Sequence, residues 1–274
     1  MINIMTVDCE DWYHTQVSQK YISSSYDAKG SEDRVSNNTQ SLLDLMSVYD
    51  VKATFFVLGS VAENHPELVK EIERKGHRLG AHAYRHRNVY EMDRADFEAD
   101  TKRVKDLLNN LISRPIESFR APNWSINGSN IWALDVLKKL GFKYDSSFTK
   151  MLFNQNLEGG IIEVPRCSPQ FLCFRLPLGG AFLKILPLDL MLNLMESVNR
   201  SGMPFMLYVH PWEIDPAIPR IRTSWADNVI QYHGLGGNLT KIKKVLERFR
   251  FTSMEDFFDT TEHGHLINKF YYKL

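Results

Sequence analysis

The side chains able to do chemistry fall in four short stretches of the 274-residue chain. Asp8, Glu10 and Asp11 put three carboxylates within four positions. They repel one another unless solvent or a cation separates them, so the cluster reads as a solvated turn or as part of a cation site. His82 and His86 have the i, i+4 spacing that aims two imidazoles the same way on a helical or tightly turned segment. That spacing recurs among metal ligands, although a surface pair in the basic loop Tyr84-Arg85-His86-Arg87 would show it too. Arg120 precedes Ala121-Pro122 and is either a guanidinium that keeps a carboxylate ionised or a surface side chain before a turn proline. His210 ends the apolar run Leu207-Tyr208-Val209, a place where a lone histidine is more often structural than catalytic. Taken together, two histidines and a carboxylate make a set that leaves coordination positions for water, as a catalytic zinc site needs. A further carboxylate is then spare to act as a base.

Strands must deliver these residues. Residues 2–7 and 51–58 read as buried strands flanking a helix at 39–49, whose Leu42, Leu43, Leu45 and Met46 form one stripe. Helices are expected at 66–75, at 93–111 with Asp93 as N-cap, at 129–140 stopped by Gly141, and at 188–199 and 239–248. Strands are expected at 76–83, 117–121, 142–146 and 205–209, with several between 159 and 178 bounded by prolines. Alternating β and α over the whole length predicts a mostly parallel sheet, open or closed into a barrel of about 250 residues. In such folds functional residues gather at the carboxyl ends of strands, where all four stretches fall. No linker divides residues 1–274, which read as one domain whose part from about 150 onward completes the barrel.

Lys and Arg number 33 against 33 Asp and Glu, so no basic surface points to nucleic acid. With 43% hydrophobic residues the chain has an ordinary soluble profile. Cys9, Cys167 and Cys173 make neither a disulfide framework nor a zinc knuckle. The first residues lack the basic region of a signal peptide, and Lys184, Pro187 and Asp189 break the apolar stretch 179–195, so neither secretion nor a membrane span is expected. The expectation is a cytoplasmic protein.

Four sequence motifs resemble the NodB-type polysaccharide deacetylases, the fourth carbohydrate-esterase family. Thr6-Val7-Asp8 with the acids after it is similar to the family's Thr-Phe-Asp-Asp, and His82-Ala83-Tyr84-Arg85-His86 to its His-Ser/Thr-x-x-His. Arg120-Ala121-Pro122 matches Arg-x-Pro and Leu207-Tyr208-Val209-His210 matches Leu-x-x-His. VDCEDWYH, FRAPNWSI and VHPWEID resemble a bacterial subfamily associated with exopolysaccharide or O-antigen gene clusters.

The resemblance implies a distorted (β/α) barrel that removes an N-acetyl group from a sugar of a surface polysaccharide or its precursor. It implies a divalent metal, zinc by choice, held by His82, His86 and a carboxylate. Asp8 would be the base, His210 the acid, Arg120 the partner that keeps Asp8 ionised, and Asp145 a carboxylate that orients His210. Cys9 replaces the family's second aspartate, so Asp11 or Glu10 must serve the metal, with Asp11 slightly favoured. Ala83 lacks the usual hydroxyl of the histidine loop, and the family's fourth motif is not legible around Asp145. Trp12, Trp124 and Trp212, with Tyr13 and Phe148, are candidates for stacking on sugar, and Pro122 for shaping the substrate loop; each aromatic fits a hydrophobic core as well. His14 stands beside this group, whereas His65, His77, His233, His263 and His265 read as structural or surface residues. The competing expectations are a cyclic-amide hydrolase on the same barrel and a non-catalytic carbohydrate-binding relative. The sequence leaves the oligomeric state open.

Overall fold

The computed structural model describes residues 1–22, 34–149 and 160–260; His263, His265 and residue 159 lie outside them. Among the described residues the strands are β1 (Ile2–Cys9), β2 (Thr54–Val57), β3 (Arg78–Ala81), β4 (Ser118–Phe119), β5 (Tyr144–Asp145), β6 (Ile162–Glu163), β7 (Gln170–Phe171), β8 (Phe174–Arg175), β9 (Met206–Val209) and β10 (Arg250–Thr252). They fall into two compact units, Met1–Ala53 with Ser168–Thr252, and Thr54–Cys167 with Ser253–Leu274.

In the first unit β1 is apolar on both faces, with Ile4, Met5 and Val7 fully buried, the signature of a covered parallel strand. Both of its partners in this unit run parallel to it: β9 from Ile4↔Met206 to Val7↔Val209, and β10 from Ile2↔Arg250 to Ile4↔Thr252. Three polar residues of β1 are buried as well, Asn3, Thr6 and Asp8. Asn3 exchanges side-chain amide bonds with Asn199 and accepts from the Phe205 N–H, so its hydrogen bonds are met and β9 is fixed in register. The helix Arg34–Val48 turns Leu42, Leu43 and Met46 inward and leaves Leu45 half-buried. The stretch 179–195 breaks into two helices, Gly180–Ile185 and Leu188–Arg200, and no described helix is long and apolar enough to cross a membrane. The sequence pattern did not foretell the helix Trp225–Tyr232, which is largely exposed along one side.

The second unit carries β2, β3, β4, β5 and β6 as successive parallel neighbours. Its helices follow the expected signals: Pro66 opens Pro66–Arg74, and Asp93 caps Arg94–Leu111 by accepting from the Asp96 N–H. β4 and β5 are only two residues long, because the chain leaves the ladder as soon as Arg120 and Ser146 turn into loops. Part of the 159–178 stretch is a separate antiparallel hairpin, β7–β8, rather than more parallel sheet. Cys9 and Cys167 are buried and Cys173 is exposed.

Candidate active site

At the carboxyl end of β1 the Glu10 N–H donates to the Asp8 carbonyl at 3.0 Å, a tight turn that leaves both side chains buried. Asp11 caps the next turn, Trp12–His14: its Oδ1 accepts from the Trp12 N–H at 2.7 Å, and its own N–H donates to His14 Nδ1 at 3.0 Å. Burial pushes the Asp11 carboxyl up to about 6, against the pull of that N–H and of Arg34.

β9 delivers His210 in the same unit. Its Nε2 lies 3.7 Å from Asp8 Oδ2 and 3.9 Å from Glu10 Oε1, and its Nδ1 lies 3.2 Å from Glu213 Oε2. Pro211 starts the turn Pro211–Ile214, and the Glu213 carboxylate reaches back to accept the His210 N–H at 3.1 Å. Burial alone would lower the imidazolium pKa, but the carboxylates of Glu213, Glu10 and Asp8 outweigh it and raise it to about 9. Trp212 stacks on His210 with ring centres 5.9 Å apart, and its indole N–H donates to Glu10 Oε1 at 3.4 Å. Trp12 and Trp212 are both buried in a cluster with Ile218, Tyr232 and Leu235, against which Tyr13 also packs.

In the second unit β3 runs into His82 and β4 into Arg120. The His82 and His86 rings are buried with centres 5.3 Å apart, yet the segment is not helical. Ala83 and His86 both have left-handed φ, +60° and +57°, and fold the chain back on itself. The loop is held by backbone bonds, Gly59 N–H to the Ala83 carbonyl and Ser60 N–H to that of Tyr84, and by the Tyr84 N–H on the Asp100 carboxylate. The loop has these bonds without a hydroxyl at position 83. His82 Nδ1 sits 2.7 Å from the Arg120 carbonyl oxygen. A carbonyl can only accept, so Nδ1 carries the hydrogen and the lone pair is on Nε2.

Arg120 is completely buried, donating from Nε to the Ser146 carbonyl at 3.3 Å and from Nη2 to the Ser146 hydroxyl at 2.9 Å, with its guanidinium 4.2 Å from the Phe56 ring centre. Pro122 opens the turn Pro122–Trp124, in which Asn123 and Trp124 take left-handed φ of +55° and +51°. A left-handed tryptophan costs about 1 kcal/mol or more, the kind of strain that gathers in ligand-binding loops. Trp124 is half-buried and Phe148 buried. Asp145 ends β5 fully buried and accepts the Ser147 hydroxyl at 2.5 Å.

Sequence reasoning missed Glu213, Ser146, Ser147 and Glu163. His-Pro-x-Glu carries the capping-box spacing that gives Glu213 away. An acid between apolar residues in IIEVP was the available sign for Glu163.

Residues 14–144 match the family model of polysaccharide deacetylases, and residues 139–259 match a domain of unknown function (DUF3473). A peptidoglycan-N-acetylglucosamine deacetylase of Bacillus cereus is 28% identical over 136 residues, 45% of this chain and 49% of that protein. A peptidoglycan deacetylase of Helicobacter pylori is 36% identical over 106 residues, 39% of this chain and 35% of that protein. The chain thus spans half or less of these curated relatives. A crystal structure assigned to a polysaccharide deacetylase from Mycobacterium smegmatis aligns with a TM-score of 0.59 at 18% identity, over 97% of this chain and 91% of that one. The fold is the NodB type of polysaccharide deacetylases, parallel strands alternating with helices. Residues 14–144 are thus similar to polysaccharide deacetylases.

Proposed function

We propose that the protein is a metal-dependent N-deacetylase acting on an acetamido sugar of a surface polysaccharide or its precursor. The buried His82–His86 pair carries this reading, because the Arg120 carbonyl fixes His82 in the tautomer whose Nε2 lone pair serves as a ligand. The third ligand of such a set would come from the acids that end β1, and Glu10, a buried carboxylate there, is our choice for it. Asp11, which the sequence slightly favoured for this place, spends its carboxylate on capping its own turn. Two imidazoles and one carboxylate suit zinc. A divalent ion held there supplies Lewis acidity to the attacking water and to the acetyl carbonyl.

The chain's own residues then divide the proton work. Asp8 takes a proton from the attacking water. His210, held cationic and in place by Glu213, gives a proton to the departing sugar amine. Backbone N–H groups in the loop after Arg120 meet the charge that develops on the acetyl oxygen. Pro122 shapes that loop and Trp124 offers its indole face to the sugar, while the buried Trp12 and Trp212 hold the turns that carry Asp11 and His210. The stretches VDCEDWYH, FRAPNWSI and VHPWEID, which resemble the exopolysaccharide and O-antigen subfamily, favour a cytoplasmic precursor as the substrate.

Elemental analysis tests the reading directly. About one zinc per chain is expected in the protein as purified, lost in His82→Ala and in His86→Ala. Asp8→Asn should keep its zinc and its fold but release no acetate from acetamido-sugar oligomers. No bound metal after zinc is added back, or unchanged acetate release by Asp8→Asn, would refute the assignment.

A further inference from the structure

Asp145 and Glu163 face each other across neighbouring parallel strands, as register partners in β5 and β6, and both are buried. Two ionised carboxylates directly opposite each other in the core would be strongly repulsive, so the pair must share a proton. The surrounding donors say which carboxyl keeps the charge. Asp145 accepts from the Ser147 hydroxyl at 2.5 Å and is drawn toward the charged form by the Arg120 guanidinium, whereas Glu163 accepts the Phe148 N–H at 3.1 Å and faces the Asp145 charge. Burial raises both carboxyls, and the charge on Asp145 drives Glu163 well above the usual range, so Glu163 is the acid that donates and Asp145 the carboxylate that accepts.

The charge on Asp145 leads somewhere. Ser147 gives its hydroxyl hydrogen to Asp145 and accepts the Ala121 N–H at 2.8 Å. That N–H belongs to the same peptide group as the Arg120 carbonyl, which takes the Nδ1–H of His82 at 2.7 Å. A continuous hydrogen-bonded chain therefore runs from the carboxyl pair to the imidazole, every link lies in one compact unit, and each bond polarises the next in the same sense.

We propose that the Asp145–Glu163 pair is a positioning device for His82, acting through Ser147 and the Arg120–Ala121 peptide to fix its tautomer and strengthen the lone pair it offers to a metal. The proposal deepens the metal reading above and rests on it for its purpose. Glu163 serves as a neutral donor, and Asp145 supplies the charge.

Two measurements on the full chain separate this inference from the metal reading. The first is zinc affinity by competition with a chromophoric chelator, at a temperature where circular dichroism shows every variant folded. Asp145→Asn and Ser147→Ala should bind zinc about 10–100-fold more weakly, the range found when outer partners of metal-binding histidines are removed. Glu163→Gln keeps a neutral N–H donor toward Asp145 and should bind within about threefold of the parent, whereas Glu163→Ala should fall with Asp145→Asn. The second is the His82 tautomer in metal-free protein, read by long-range ¹H–¹⁵N correlation. The Nδ1–H form should hold in the parent and in Glu163→Gln and give way to a mixture in Asp145→Asn and Ser147→Ala. Parent-like zinc affinity and tautomer in Asp145→Asn would overturn the proposal, as would a loss in Glu163→Gln equal to that in Asp145→Asn. If the parent binds no zinc while the tautomer responds as described, the metal reading fails and the relay stands.

Discussion

His210 can act as an acid only while something holds its ring and its proton together, and Glu213 does both, contacting Nδ1 at 3.2 Å and accepting the backbone N–H of the same residue. Glu213→Gln keeps the shape but removes the charge. It should lower kcat by about 100-fold with little change in KM or zinc content, in the range a positioned acid contributes, as steady-state kinetics with metal analysis would show. A second residue-scale effect concerns stability. Burial on its own would raise the Asp256 carboxyl, and the Arg78 guanidinium and Ser253 hydroxyl more than reverse it, so its folded pKa lies below the ordinary value. Such a carboxyl binds fewer protons folded than unfolded. Its contribution is complete above about pH 5 and is lost as pH falls through about 4 and below. Because both side chains are about one-third exposed, the pair stabilises by about 1 kcal/mol at most. Arg78→Met should therefore lower Tm slightly at pH 7 and flatten its decline toward pH 3, which calorimetry across that range would reveal.

At the scale of elements, the strand ends do the positioning, and they were the most legible part of the sequence. Asp8, His82, Arg120, Asp145 and His210 all stand in or directly after the last residues of parallel strands, as the alternation of apolar runs with polar endings foretold. Legibility failed where tertiary contact decides. Elsewhere even a local bond goes unread: the spacing does not show that Asp11 rather than Glu10 caps the turn Trp12–His14, through the Trp12 N–H. Nor does spacing show that the histidine loop is a left-handed turn rather than a helix, since both place the imidazoles together. Trp12 was equally suited to a sugar face and to a core, and only its burial places it in the core. Gly179 shows how narrow such tertiary requirements are. It bridges to Tyr208 at φ +144°, and a Cβ there would lie 2.1 Å from the Tyr208 carbonyl oxygen, two residues before His210. Gly179→Ala should cost at least about 2 kcal/mol, seen as a lower urea midpoint, because backbone rather than a flexible side chain must give way. A midpoint equal to the parent's would mean that the bridge does not hold β9.

At the scale of the whole molecule, the two family matches meet near residue 140, but the compact units do not divide there. The segment described as a domain of unknown function supplies His210, Glu213, Asp145 and Glu163, so it carries part of the chemistry proposed for the deacetylase match. A fragment ending at residue 140 would keep nearly all of the deacetylase match yet lose β5 and β6 from the second unit, and β9 and β10 from the first. Both parallel partners of β1 within its unit would be gone, opening Ile4, Met5 and Val7, each completely buried. At roughly 2 kcal/mol for each such side chain, three of them alone approach the net stability of about 5–15 kcal/mol that a domain possesses. The unpaired backbone of β1 and the loss of β5 from β4 add to that deficit. The fragment is therefore expected to show no cooperative melt and no near-ultraviolet dichroism, whereas the full chain shows both. A cooperative melt from residues 1–140, with zinc retained, would mean instead that the deacetylase match folds as a domain of its own and that the second half is an addition to it.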